Sequence, residues 1–152
     1  MRVLNTLLLC LPFCVSLVAQ KASAKLEISH LSGDFYIFTT YMDYAGSPFP
    51  ANGMYVLTDA GAVLFDTPWD TTQCQPLLDS IEAKHHKKVV MCISTHSHDD
   101  RTGGIPFFRA KGIKTYTTLK TDAISRLKLE NRAEFLLEND TVFTLGQHRF
   151  QT

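Results

Sequence analysis

Two histidines and two aspartates fall within five positions of this chain, at His96, His98, Asp99 and Asp100, with Arg101 directly after them. His96, His98 and Asp100 follow one another at steps of two, so an extended or turning backbone can aim two imidazoles and a carboxylate at one point. Imidazole nitrogen together with carboxylate oxygen is a donor set suited to zinc. A lone His-x-His in a polar loop is usually solvated surface. Here an apolar run precedes the loop, an Asp occupies the next step, and Gly103-Gly104 follows. The run Val89-Val90-Met91-Cys92-Ile93 is β-branched at three positions and reads as a buried strand. The cluster therefore sits where a central strand ends, the place at which layered α/β sheets put ligands and chemistry.

The remaining pattern supplies the elements that must hold this loop. Residues 26–31 alternate and residues 35–41 are β-branched and aromatic, so both read as strands, separated by the turn signal Ser32-Gly33-Asp34. The stretch 43–52 carries Pro48, Pro50 and Gly46 with little periodicity and reads as a hairpin-like loop. Strands follow at 53–58 and 62–66. A helix is predicted over 71–84, with Asp70 or Thr71 as N-cap, Leu77, Leu78 and Ile81 facing inward and Pro76 in its early turns. After the His/Asp loop come a short helix at 105–110, a strand at 114–118, a helix at 121–129, and a hairpin formed by 141–145 and 149–151. Strands first and alternating helices and strands afterwards give an α+β chain packed in layers.

Lys plus Arg and Asp plus Glu stand at 15 each, and no long run has one sign, which argues against a nucleic-acid partner. Residues 1–24 differ from the rest. Arg2 opens them, an apolar stretch centred on Leu7-Leu8-Leu9 follows, and Ala22-Ser23-Ala24 offers small residues for cleavage. This is the pattern of a secretory signal peptide, implying periplasmic residence and no membrane attachment after cleavage. Pro12 and Asn5 interrupt a span too short for a membrane anchor. Cys74 and Cys92, the two cysteines beyond this segment, read as buried hydrophobes without a bridge.

His-x-His-x-Asp after an apolar strand resembles the metallo-β-lactamase superfamily. Most branches place a second His after the Asp; Arg101 stands there instead, which is similar to class B β-lactamases of subclass B1 and disfavours a thioester hydrolase of the same superfamily. Gly61-Ala62-Val63-Leu64-Phe65-Asp66-Thr67-Pro68-Trp69 resembles the strand and D-x-x-W turn of those enzymes, and Ala51 through Asp59 resembles the strand before it. The likeness is greatest to flavobacterial members.

The resemblance implies a four-layer αβ/βα sandwich, of which residues 25–152 form the N-terminal half, a metallo-β-lactamase-like domain truncated at the C-terminus. It implies two zinc ions per complete enzyme, β-lactam antibiotics as substrate, a monomer, and hydrolysis by metal-activated water with no covalent acyl-enzyme. His96 and His98 belong to one metal and Asp100 to the other, where Asp100 also orients the nucleophile. The remaining ligands lie later in the family's chain. Asp66 supports the metal-bearing loop or simply caps a turn; Arg101 stands behind the ligands or is a solvated charge. The stretch 42–52 matches a substrate-covering flap, with Tyr44 and Phe49 as apolar contacts, and Trp69 a pocket wall; ordinary packing is the plainer use of each. His30, His85, His86 and His148 lack ligand spacing. With two histidines and one aspartate in hand, the 152-residue chain itself is expected to bind metal weakly and to be inactive as a fragment, with Phe143, Leu145 and Phe150 left uncovered.

Overall fold

The computed structural model describes residues 26–127 and 131–152, so the leader read over residues 1–24 lies outside the described residues. In chain order the strands and helices are β1 (Glu27–Ser32), β2 (Phe35–Tyr44), β3 (Ser47–Thr58), β4 (Gly61–Phe65), α1 (Thr71–His85), β5 (Val89–Ser94), α2 (Asp99–Thr102), α3 (Ile105–Ala110), β6 (Lys114–Thr118), α4 (Leu119–Leu127), β7 (Phe135–Leu137), β8 (Val142–Leu145) and β9 (His148–Gln151). Strands β1 to β7 form one sheet in sequence order, antiparallel from β1 to β4 and parallel from β4 to β7. Strands β8 and β9 make a separate antiparallel pair. None of the described helices is long and apolar enough to cross a membrane.

The central strands are apolar at successive positions because both faces of the sheet are covered. On one face Phe38, Tyr55, Leu64 and Cys92 pack with Cys74, Leu77 and Ile81 of α1 and with Phe108 of α3. On the other, Val56, Val63, Ile93 and Leu137 meet Phe143, Leu145 and Phe150. These three side chains, expected to lack cover, form the inner face of the β8–β9 hairpin, with Phe150 stacked on Phe143 and 6.1 Å from Phe65. The period-2 alternation of the hairpin turns every second residue to the sheet. The α1 helix begins as its sequence predicts: Asp70 accepts a 2.8 Å hydrogen bond from the Thr72 N–H, and Lys84 and His85 occupy the last turn, where cations oppose the helix dipole. Pro76 is the sixth helical residue, beyond the free N–H positions, so the Thr72 carbonyl loses its usual donor.

The stretch 43–52 is not a loop. It continues β2 and β3 as a hairpin closed by Ala45-Gly46, both at positive φ (51° and 84°) as a type I′ turn requires. Pro48 and Pro50 are tolerated because of their register. Leu57 donates to the Asp34 carbonyl, which makes every second pair from there a hydrogen-bonded one. Pro50 opposite Tyr41 and Pro48 opposite Asp43 then fall on pairs whose backbone groups point away from each other. The helix expected over 121–129 starts two residues earlier, and strand β7 was not legible in its three residues. Asp122 of α4 is buried, and the hydrogen bonds and charges of Arg132 and Arg126 outweigh the burial and hold its carboxyl below the usual carboxylate range.

Candidate metal centre

The parallel strands β4 and β5 end side by side, and their exits are tied together before any ligand is reached. Asp66, the first residue past β4, has φ 70°, a left-handed conformation that Asp tolerates better than most residues. Its N–H donates to the Ile93 carbonyl at 2.8 Å. Its carboxylate accepts from the Thr95 N–H at 2.8 Å and from the Thr95 hydroxyl at 2.8 and 3.1 Å. Burial raises the Asp66 carboxyl above its usual range, against the opposing pull of Thr95, Arg101 and His96. Thr95 in turn stands 3.2 Å from His96 Nδ1.

The loop that follows is pinned at its far end as well. The Arg101 carbonyl accepts from the Ser94 hydroxyl at 2.8 Å and from the Thr67 N–H at 3.2 Å. Gly104 donates its N–H to the Thr67 hydroxyl at 2.9 Å, and a Cβ there would lie 2.8 Å from Cys74 Sγ and 2.9 Å from Thr67 Cβ. Only glycine fits that approach. Between these anchors Ser97 is buried while His96 and His98 are exposed, so the alternation of the backbone turns both imidazoles outward. Their rings stand 4.8 Å apart at 79°. The one-turn helix α2 then brings Asp100 back beside them.

The donor atoms of His96, His98 and Asp100 all lie within 4.8 Å of one another, the one such group among the described residues. Donors on one tetrahedral zinc stand roughly 3.4 Å apart, and paired catalytic metals sit roughly 3.5–4 Å apart. The group therefore fits one cation after slight rotation of exposed imidazoles, or contributes to two adjacent ones. Arg101 stands behind it. Its Nε is 3.3 Å from Asp100 Oδ2, its Nη1 is 3.6 Å from Asp66 Oδ2, and Nη1 also donates to the Asn52 carbonyl of β3. It is thus an ion-paired, largely buried residue rather than a solvated charge.

Two of the three expected substrate contacts, Phe49 and Trp69, come together at the same place. Phe49, Trp69, His98, Asp99 and Asp100 line a cleft of about 410 Å³. Phe49 meets Trp69 edge to face with centroids 6.2 Å apart, and Tyr44 lies against Phe49 at 6.3 Å but outside the lining. His30 and His85 lie around Tyr36, His85 holding the Tyr55 hydroxyl at 2.8 Å, and His148 faces Asp34 at 3.0 Å. Cys74 and Cys92 are free and buried, and burial pushes the Cys74 thiol up to about 12. Two residues around the loop and one at the β2–β3 hairpin escaped sequence reading. Thr95 is marked only by preceding His96, Asn52 acts through its backbone, and Gln73 occupies a helix position that suggests a cap instead.

A mixed sheet with helices on one face, a hairpin on the other and a His-His-Asp group at its strand ends matches one half of the metallo-β-lactamase fold. The comparisons agree. The chain is 39% identical over 127 residues to "Metallo-beta-lactamase type 2" of Elizabethkingia meningoseptica, covering 84% of this chain and 51% of that one. It is 37% identical over 120 residues to metallo-beta-lactamase IND-1 of Chryseobacterium indologenes, covering 79% and 50%. The crystal structure of metallo-beta-lactamase IND-7 superposes with a TM-score of 0.78 at 35% identity, over 83% of this chain and 58% of that one. No family profile matches. Over the stretch it shares with them, this chain belongs with the class B metallo-β-lactamases, flavobacterial members included. It spans about half the length of the curated relatives it matches.

Proposed function

We propose that this chain supplies the first metal-binding loop and one cleft wall of a zinc-dependent enzyme that hydrolyses the amide bond of β-lactam antibiotics. The observation that carries the reading is the joining of a metal-competent group to an apolar cleft: His98 and Asp100 line the same cavity as Phe49 and Trp69. His96, His98 and Asp100 would hold metal, two zinc ions per complete enzyme. Zinc bound there lowers the pKa of water toward neutrality and polarises a carbonyl oxygen.

The chain's own residues do the rest. Asp100, ion-paired to Arg101, accepts a hydrogen bond from the attacking water and orients it. Asp66 and Thr95 fix the backbone that presents His96, and Arg101 fixes Asp100, so little reorganisation accompanies the reaction. Phe49 and Trp69, with Tyr44 beside them, hold the apolar body of the substrate and exclude water. Export through residues 1–24 to the periplasm and a monomeric state complete the proposal.

The test uses a form spanning the full length of the relatives, with and without His96→Ala. Hydrolysis of nitrocefin and imipenem that chelation abolishes and zinc restores is expected, with bound zinc and turnover both falling at least about tenfold in the variant. Undiminished zinc content and turnover in His96→Ala would overturn the assignment of this loop. Turnover of a thioester but no β-lactam would overturn the substrate class. The 152-residue chain alone, with one such donor group among its described residues, is expected to take up zinc weakly and to show no sustained turnover.

A further inference from the structure

Beyond residue 40 the β2–β3 hairpin leaves the sheet. Strand β1 pairs with β2 only as far as Thr39, and β4 pairs with β3 only from Met54 to Thr58. Among the described residues, the ribbon from Tyr41 to Pro50 therefore has no strand on either side, and residues 43–50 are all exposed. It carries Phe49 to the cleft.

The backbone of Tyr41 faces outward, toward the side β1 no longer occupies, as the register above requires. There the carboxamide of Gln73 takes the place of a strand. Gln73 Oε1 accepts from the Tyr41 N–H at 3.0 Å, and Gln73 Nε2 donates to the Tyr41 carbonyl at 2.6 Å. One residue earlier, the buried Thr40 hydroxyl accepts from the Trp69 N–H at 3.3 Å. Gln73 is the third residue of α1, where a Gln usually folds back onto the backbone N–H of the capping residue. Its amide is committed to the ribbon instead. Asp70 caps the helix without it.

We propose that Gln73 is a positioning residue that pins the root of this ribbon and so sets how closely Phe49 stands to Trp69. The two walls of the cleft then share one support, the first turn of α1: Trp69 just precedes it and Gln73 lies within it. Substrate grip by Phe49 depends on that pin, a step that rests on the proposed β-lactam hydrolysis; the pin itself does not.

Trp69 is the single tryptophan of the chain, so its fluorescence reports on the cleft wall alone. Gln73→Met keeps the length of the side chain and removes both hydrogen bonds. In the 152-residue chain, amide exchange at Tyr41 is expected to speed up about tenfold, and acrylamide quenching of Trp69 to rise about twofold, as the ribbon opens. Gln75→Met, two residues along on a side chain that bonds Asp79 in its own helix, controls for the substitution itself and should change neither. Should Gln73→Met fail to fold, Gln73→Glu carries the test: it keeps the acceptor for the Tyr41 N–H and loses the donor, so Trp69 quenching should rise while Tyr41 exchange stays slow. Parent-like exchange and quenching in the folded Gln73 variant would overturn the pin. In a form spanning the relatives' full length, Gln73→Met should raise KM severalfold for an aryl-substituted β-lactam and leave kcat unchanged. Absence of any hydrolysis in the parent, with the fluorescence change intact, would overturn the functional reading and leave the pin standing.

Discussion

Asp66 does more for the site than its position in a turn suggests. Its carboxylate holds both the N–H and the hydroxyl of Thr95, directly before the first imidazole, from a left-handed backbone position. Asp66→Ala removes the acceptor and puts a Cβ-bearing residue without a polar tip at positive φ, so about 1–3 kcal/mol of stability should be lost. Asp66→Asn keeps one acceptor and tolerates the backbone, and should lose clearly less. Urea unfolding of the two variants checks the order; equal losses would mean that the charge facing Arg101, not the Thr95 bonds, is what matters. His85 gives a prediction in pH. Burial against Tyr36 and Tyr55, and the charge of Lys84, lower its pKa below the usual 6.5. The unfolded chain then takes up a proton at a higher pH than the folded one. Stability is undiminished above about pH 6.5 and falls as pH drops toward the folded value, where the loss levels off. The urea midpoint should therefore fall between about pH 7.5 and about pH 5.5, and the drop should shrink in His85→Gln. An equal drop in the variant would assign it to other groups.

Among the elements, those with a clean hydrophobic period were legible in the sequence and those set by tertiary register were not. The buried strand β5 and helix α1 follow from apolar runs and an Asp cap, and they alone suffice to place His96 at a strand end. The ribbon of β2 and β3 looked like a loop because Pro48 and Pro50 argue against a strand, and only the pairing shows that both occupy positions with no ladder bond to lose. Strand β7 is three residues long and exists because β6 offers it an edge. Gly53 sits within β3 for a reason equally invisible in sequence: the Phe38 ring lies across it, with Cζ 2.1 Å from where a Cβ would be. Gly53→Ala must displace a fully buried ring, and should lower stability by about 1–3 kcal/mol. Thermal unfolding with near-ultraviolet circular dichroism would show it; an unchanged melting temperature would mean that the ring has another place to go.

Across the whole molecule, the seven strands of the large sheet lie in the order of their synthesis, each beside its predecessor. The chain can therefore lay down its sheet progressively, from the first strand onward, without waiting for distant segments to find each other. One closure breaks that rule. At the tip of the β8–β9 hairpin, the Gln147 side chain accepts from the Asp59 N–H at 2.8 Å and donates to Asp34 at 3.3 Å, and His148 meets the same Asp34 carboxylate at 3.0 Å. Those contacts join residues 88 to 114 positions apart, the longest loops the described hydrogen bonds close. The entropy of so long a loop is lost before the contact rewards it, which places hairpin docking last. Gln147→Ala should then leave the refolding rate nearly unchanged and speed unfolding severalfold, the signature of an interaction absent from the transition state. Stopped-flow chevrons of the parent and the variant would decide, and a slower refolding arm would instead make this hairpin part of the nucleus from which the sheet grows.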